Sequence, residues 1–457
     1  MRGLELTAPI YIFILMPLSL LLCRLAPTNR RRLLLSLFSI LMLVLAHRNN
    51  PLGLVHIELL LIFSLSCAYF PTPRSPLGGK IRTIVAIVVP SLSLVVARIL
   101  ADYNIGNYVY PAGLGFITFA SISFAVDMAR GDSICPENPL ELIGYLVFFP
   151  TLIAGPLIRS KHYFDNTDAI TPSLQMMSHG IRLYMRGFIK RVALAAVLLR
   201  SFQDLLQFSA DAISPFLLLL LLLFSFLAFY FFITGSADMG RGVCAMLGIP
   251  TPRDRSHLFS TASPDRFFYG ITLSLHNFLI DYVYRPLRRV VPGKMGRFAA
   301  KFAIFAITAL FFRTRPEMLL FASPVLIFAL VTLFKKRWRL PLIPRTLLLS
   351  LSILSCSFYT LALMLPSPID LFSMVHQAFE NGALYDLKDL FEMVRDASYL
   401  AITILAFFLL VSVTNLDRWF TRKAGRKLYI ATQVAFTVLL FAGFIATLFF
   451  FYPQFPQ

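Results

Sequence analysis

The chain has 457 residues, 58% of them hydrophobic and only 14% charged, with a mean hydropathy of +0.74. That balance excludes a soluble globular domain and points to an all-α polytopic membrane protein. The net charge of +19 comes from Lys and Arg in short runs between apolar segments, the pattern of cytoplasmic loops rather than of a nucleic-acid surface, so membrane lipids are expected as neighbours and nucleic acid is not.

Apolar runs recur from end to end. They are read as spans near Ala8–Cys23, Leu33–Ala46, Leu52–Phe70, Thr83–Leu100, Val109–Val126, Leu140–Ile158, Ile181–Leu199 and Ile213–Phe232. Further runs lie near Ala299–Phe312, Glu317–Phe334, Thr346–Leu365, Ser398–Val413 and Tyr429–Phe451. Several fall short of the ~20 residues of a straight span, so tilted, broken or re-entrant elements are expected. The first run is followed by RLAPTNRRR with no A-x-A-like site, and is read as a retained helix rather than a cleaved leader. The whole chain, 1–457, reads as one integral-membrane domain. Residues 1–105 are expected to be peripheral helices and 106–457 the core.

The runs Arg30–Arg32, Arg74–Arg82, Arg285–Lys301, Lys335–Arg339 and Arg422–Lys427 are expected to face the cytoplasm, which places both termini on the opposite side. Pro366–Ala397 is the longest polar section, and LFSMVHQAF within it has helical periodicity. The five cysteines (Cys23, Cys67, Cys135, Cys244, Cys356) show no CxxC spacing and suggest neither a metal site nor a disulfide framework.

Five segments are too polar or irregular for lipid-facing spans. In Tyr110–Asp132, Gly113 and Gly115 permit close backbone approach and Asp127 ends the apolar run. In Tyr145–Phe164, Pro150 and Pro156 each remove a backbone donor, so Leu140–Ile158 is not expected to cross as one straight helix. Gly180–Arg191 is a basic start to a span, and Phe229–Ile249 sets Asp238 among small residues. The fifth, Ser263–Arg289, holds His276, Asn277, Asp281 and Arg285 among aromatics and leucines. Helical spacing puts Thr272, His276 and Ile280 on one face and Asn277, Asp281 and Arg285 on the next, so Asp281 and Arg285 can pair. Taken singly, each segment also reads as a kink, a snorkelling arginine, a capping aspartate or an amphipathic juxtamembrane helix.

Taken in order, PAGLGFITFASISFAVDMARGD, FFPTLIAGPLIR, GIRLYMRGFIKRV, GSADMGRGVCAMLGI, SLHNFLIDYVYRPL and the closing FFFYPQF resemble the membrane-bound O-acyltransferase family. The nearest branch is that of alginate O-acetyltransferase and the D-alanyl transferase of teichoic acids. The resemblance runs from about Tyr110 to the C-terminus. It implies a ring of about 11–13 tilted, short and re-entrant helices around a central tunnel. It also implies transfer of an acyl group from a cytoplasmic thioester, acyl-CoA or an acyl carrier, with no bound cofactor. The acceptor would be a hydroxyl of an exported cell-envelope or secreted glycan. A periplasmic acyltransferase or esterase and a glycan synthase are the implied partners, and the bacterial inner membrane the implied location.

The chain departs from the family where its chemistry sits. ALFFRTRPEMLLFA, Ala309–Ala322, stands where the family has GLWHGAxWxFVLWG, and Phe312 takes the histidine position. Thr272 takes the second family histidine position, and Phe232 that of a family aspartate. His276, about 6 Å along the helix from Thr272, is the candidate replacement base. Asp238, Thr272, His276 and Phe312 are expected to line the tunnel, with Asn277 and Asp281 as further motif positions. Two other readings stay open: an inactive relative that serves as a scaffold or binds acyl groups, lipid or a partner, and a transporter or flippase on the same helices.

Overall fold

The computed structural model describes residues 11–70, 76–152, 155–169, 173–208, 213–249, 251, 273–315, 317–323, 345–381 and positions 438, 441 and 445. Thr272, the loops at 335–339 and 422–427, and the runs expected at 398–413 and, apart from those last positions, 429–451 lie outside the described residues.

Every regular element among the described residues is a helix. The chain opens with α1 (Tyr11–Leu25, its first turn a π-helix), α2 (Thr28–His47), α3 (Pro51–Tyr69) and α4 (Pro76–Asp102). Then come α5 (Leu114–Arg130), the short α6 (Pro139–Leu146), α7 (Ser160–Ala169) and α8 (Leu174–Phe188). A π-turn, Ile189–Ala195, leads from α8 into α9 (Ala196–Phe208), and α10 is the long helix Pro215–Met246. After it come α11 (Leu273–Leu279), a second π-turn (Ile280–Tyr284), α12 (Arg285–Val290) and α13 (Gly293–Phe311), and then α14 (Arg345–Met364) and α15 (Asp370–Asn381). Among the described residues, Pro51–Tyr69, Leu77–Asp102 and Pro215–Met246 are long and apolar enough to cross a membrane. The molecule is an integral membrane protein. The amphipathic helix expected within Pro366–Ala397 is α15.

Helix starts follow the sequence closely. Asn50, Asn138, Ser173 and Ser214 each place a side-chain oxygen on a backbone N–H of the following turn, and Pro51, Pro139 and Pro215 occupy the first helical position. Such a cap stabilises a helix start by about 1 kcal/mol. Helix α5 ends where Gly131 turns left-handed (φ 77°), so that the Gly131 N–H reaches Met128 O and the Asp132 N–H reaches Asp127 O.

Leu140–Ile158 does not form one straight helix. Helix α6 stops at Leu146, and Phe148 and Phe149 then bury themselves in an irregular turn. Non-helical backbone inside a membrane protein must be covered by protein, and here it is. The Phe149 N–H donates to Ser39 Oγ of α2 (3.3 Å), and Tyr145 Oη donates to Ile158 O (3.0 Å), tying the far end of the turn back to α6.

Helices α8 and α10 touch backbone to backbone. A Cβ on Gly187 would stand 2.5 Å from Gly235 O, and one on Gly242 would stand 2.7 Å from Gly180 O. Matching glycines on the two antiparallel helices thus let them approach more closely than any side chain allows. The contact helps build a first apolar core that runs from α1–α3 through α5, α6 and the turn to α8 and the end of α10. This core joins Leu35, Ile57 and Ala97 to Leu114, Tyr145 and Tyr184, so residues before and after 105 share one interior. A second core gathers α9, the first half of α10, the end of α13, α14 and α15. A third, smaller one joins α5, α11 and α13.

Candidate active site

Three of the motif segments meet around one cavity of about 630 Å³. Helix α5 contributes Phe119 and Ser123, the turn before α7 contributes Ile158 and Arg159, and α11 with its π-turn contributes Asn277, Phe278, Asp281 and Tyr282. The turn that ends α6 early carries Arg159 to this place. The π-turn at Ile280–Tyr284 breaks the regular helical register just where Asp281 and Tyr282 enter the wall; such turns recur at functional sites.

The lining carries one buried, paired carboxylate, Asp281, and two exposed arginines, Arg159 and Arg285, with Asp127 behind the wall at Tyr282. Tyr282 donates to the Asp127 carboxylate, with both oxygens 2.8 Å from the phenol oxygen. Asp281 forms ion pairs with Arg159 and with Arg285, the latter at 2.5 Å. The i,i+4 pair expected between Asp281 and Arg285 is therefore present. Arg130 of α5 donates to Asp281 O (3.3 Å) and lies 5.3 Å from the Tyr282 ring centre, and Arg159 lies 5.8 Å from the same ring. Asp127 and Asp281 are buried, whereas the side chains of Arg159 and Arg285 are 51% and 65% exposed. An anion entering the mouth meets guanidinium groups first.

The other expected site residues are placed as follows. Asn277 and Asp281 line the cavity. His276 is half-buried on α11, next to Asn277, but is not itself among the lining residues. Asp238 lies at the α8–α10 contact, where Arg186 grips both its oxygens (3.1 Å each), Lys190 Nζ stands 2.7 Å away and Arg241 lies at 3.7 Å. The close glycine contact brings these chains within reach. Phe312 follows α13 and sits in the second core, its ring 5.1 Å from Phe229 and 5.0 Å from Phe311.

Rings connect Phe312 with the cavity. Centroid distances run 4.6 Å from Tyr282 to Phe278, 4.8 Å to Phe119, 5.4 Å to Phe311 and 5.0 Å to Phe312. Phe312 is thus joined to the cavity by apolar surface. Arg313, just beyond, donates to Leu365 O (2.6 Å) and Pro366 O (2.5 Å) after α14, and Thr314 binds Asp102 of α4 through both its N–H (2.7 Å) and its hydroxyl (2.8 Å). Sequence reasoning did not single out Tyr282, Arg130 or Arg159. Rare ionisable groups flanking apolar runs in α5 and the α6–α7 turn were the available signal.

Residues 134–353 match the model of the family described as MBOAT, membrane-bound O-acyltransferase family. A probable alginate O-acetylase AlgI from Pseudomonas putida is 29% identical over 185 residues, 40% of this chain and 38% of that protein. Its counterpart from Pseudomonas aeruginosa is 29% identical over 174 residues, 38% of this chain and 33% of that protein. A teichoic acid D-alanyltransferase from Lacticaseibacillus rhamnosus is 24% identical over 273 residues, 54% of this chain and 65% of that protein. The matched stretch therefore spans well under half the length of these alginate O-acetylases. With its helical membrane architecture and the motif-built cavity, the chain carries a membrane-bound O-acyltransferase family domain over residues 134–353, similar to alginate O-acetylases and teichoic acid D-alanyltransferases.

Proposed function

We propose that the protein takes part in O-acylation, such as O-acetylation, of an exported cell-envelope or secreted polysaccharide, and draws the acyl group from a cytoplasmic thioester. One observation carries this reading: three family-like segments, far apart in the chain, build one cavity lined by the exposed Arg159 and Arg285, both paired with the buried Asp281. Acyl-CoA and acyl-carrier thioesters bring phosphate groups, which arginine recognises well. The mouth adjoins the RPLRR run of α12, which charge distribution assigns to the cytoplasm. The chain would then sit as a multi-pass protein in a bacterial inner membrane. A glycan synthase and a periplasmic acyltransferase or esterase would be its partners.

In this reading the attacking hydroxyl binds against α11 at the edge of the cavity, within reach of His276, which precedes the lining residue Asn277 and takes the proton. The hydroxyl oxygen adds to the thioester carbonyl, and collapse of the adduct releases the thiol with that proton. Imidazole suits the task because it titrates near working pH. Asn277 and Asp281 shape the wall beside it.

Phe312 favours a second reading. A ring packed among Phe229 and Phe311 can neither accept a proton nor polarise a carbonyl. An inactive relative that binds an acyl donor or scaffolds a partner enzyme would keep the cavity and lose the base.

Deletion of the protein from its host, with acyl content measured on the exported glycan fraction, tests the proposal. Loss of ester-linked acyl groups, restored by the wild-type protein, is expected. Unchanged acylation would overturn it.

A further inference from the structure

Outside the region matched to the family, α3, α4 and α5 enclose a second cavity of about 360 Å³. All its lining residues lie between Phe63 and Ala129, before residue 134. We propose that it is a binding site for an anionic phospholipid, with an acyl chain between the helices and the phosphate at Lys80.

The wall is apolar in depth. Phe63, Ala86, Phe124, Ala125 and Met128 line it, and the hydroxyls present are spent on protein partners: Ser64 Oγ reaches Leu60 O (2.7 Å) and Ser121 Oγ (3.0 Å), and Thr83 Oγ1 reaches Gly79 O (3.0 Å). The Ser64 and Thr83 hydroxyls are thus donated to protein acceptors, and a hydrocarbon chain fits beside the apolar side chains. The charged side chains of the lining are both basic, Lys80 and Arg82, and no carboxylate faces them across the cavity. Arg82 is held rigidly. Its guanidinium caps the end of α3 by donating to the Cys67, Ala68 (3.0 Å) and Phe70 (3.1 Å) carbonyls, which fixes one edge of the opening. Lys80, two residues earlier on α4, is exposed.

The surroundings select a lipid rather than a soluble ligand. Helices α3 and α4 are two of the three helices among the described residues that are able to cross a membrane, and Leu77, Ile81, Ile84 and Ile62 on them present bare apolar surface, 52–67% exposed. Lys80 and Arg82 belong to a basic run that charge distribution places at the cytoplasmic surface, where a juxtamembrane lysine meets an anionic headgroup.

The test uses the purified full-length protein in detergent, with native mass spectrometry to count bound phosphatidylglycerol against phosphatidylcholine of the same chains. Tighter retention of phosphatidylglycerol is expected, with about a fivefold loss of that preference in Lys80→Gln, the effect of one basic side chain at an anionic surface. Ala125→Phe, which fills the cavity, is expected to remove the retained lipid. Because that variant can fail to fold, wild-type protein is also photolabelled with phosphatidylglycerol carrying a diazirine on its acyl chain. Crosslinks should map to peptides covering 63–68, 79–86 or 121–129. Equal retention of the two lipids, a preference unchanged in Lys80→Gln, or crosslinks confined to other helices would overturn the proposal. Competition by glycerol phosphate as effective as that by phosphatidylglycerol would also overturn it, since the acyl chain would then contribute nothing.

Discussion

Phe312 stands edge-on to Phe229 of α10, with ring centres 5.1 Å apart and the planes at 81°. The sequence resemblance aligns Phe312 of this T-shaped pair with a family histidine position. Phe312→His should therefore not raise acyl transfer, because no polar group among its ring neighbours would orient an imidazole. Phe312→Ala, at a half-buried position, should cost about 2 kcal/mol through lost packing. Chemical denaturation of the two variants beside the wild type checks the stability effect, and transfer assays check the first. A faster Phe312→His enzyme would contradict this account of the site.

Asp238 should prove structural. Removing it in Asp238→Ala leaves Arg186 and Lys190 facing each other without their shared carboxylate, at a contact where the α8 and α10 backbones touch. Breaking a buried ion pair on one side costs about 3–5 kcal/mol. We expect little monodisperse protein on gel filtration. A well-folded variant with unchanged donor binding would show that the cluster is not needed to join the two helices.

The basic runs predict how the chain is oriented in the membrane. Cysteines introduced at Lys301, Arg337 and Gln457 should react with a membrane-impermeant reagent from the cytoplasmic side at the first two and only from the outside at the last. Labelling of Gln457 from the inside alone would reverse the assignment of the C-terminus.

The helical fold was legible because membrane spans announce themselves by apolar length, and because Asn, Ser and Pro mark helix starts as at Ser214–Pro215 and Asn138–Pro139. The interruption of Leu140–Ile158 was equally visible in Pro150 and Pro156, although the helix stops at Leu146, ahead of both, where Phe148 and Phe149 turn into the core. The Asp281–Arg285 pair followed from helical spacing. The partnership of Asp127 with Tyr282 did not, since it joins residues 155 positions apart and depends on how α5 packs against the π-turn. Nor could spacing reveal that Asp238 is enclosed by α8, because the matched glycines that bring the helices together carry no signal of which helix they will meet.

His276→Ala should lower acyl transfer about 100- to 10,000-fold, the usual contribution of a general base, with little change in thermal stability. His276→Gln, which keeps a polar side chain without a titratable group, should be equally slow. Transfer at the wild-type rate in both variants would place the base elsewhere.

The central claim is that the basic-mouthed cavity delivers an acyl group from a cytoplasmic thioester. Its most direct test is transfer of labelled acetyl from acetyl-CoA to glycan by the purified protein in proteoliposomes, for wild type and for Arg159→Ala. The account predicts measurable wild-type transfer that falls at least about tenfold in a folded Arg159→Ala protein, in keeping with loss of a charge-assisted phosphate contact. Saturable donor binding by the wild type without transfer would contradict it and favour the inactive relative. Transfer unchanged in Arg159→Ala would contradict the assignment of the cavity.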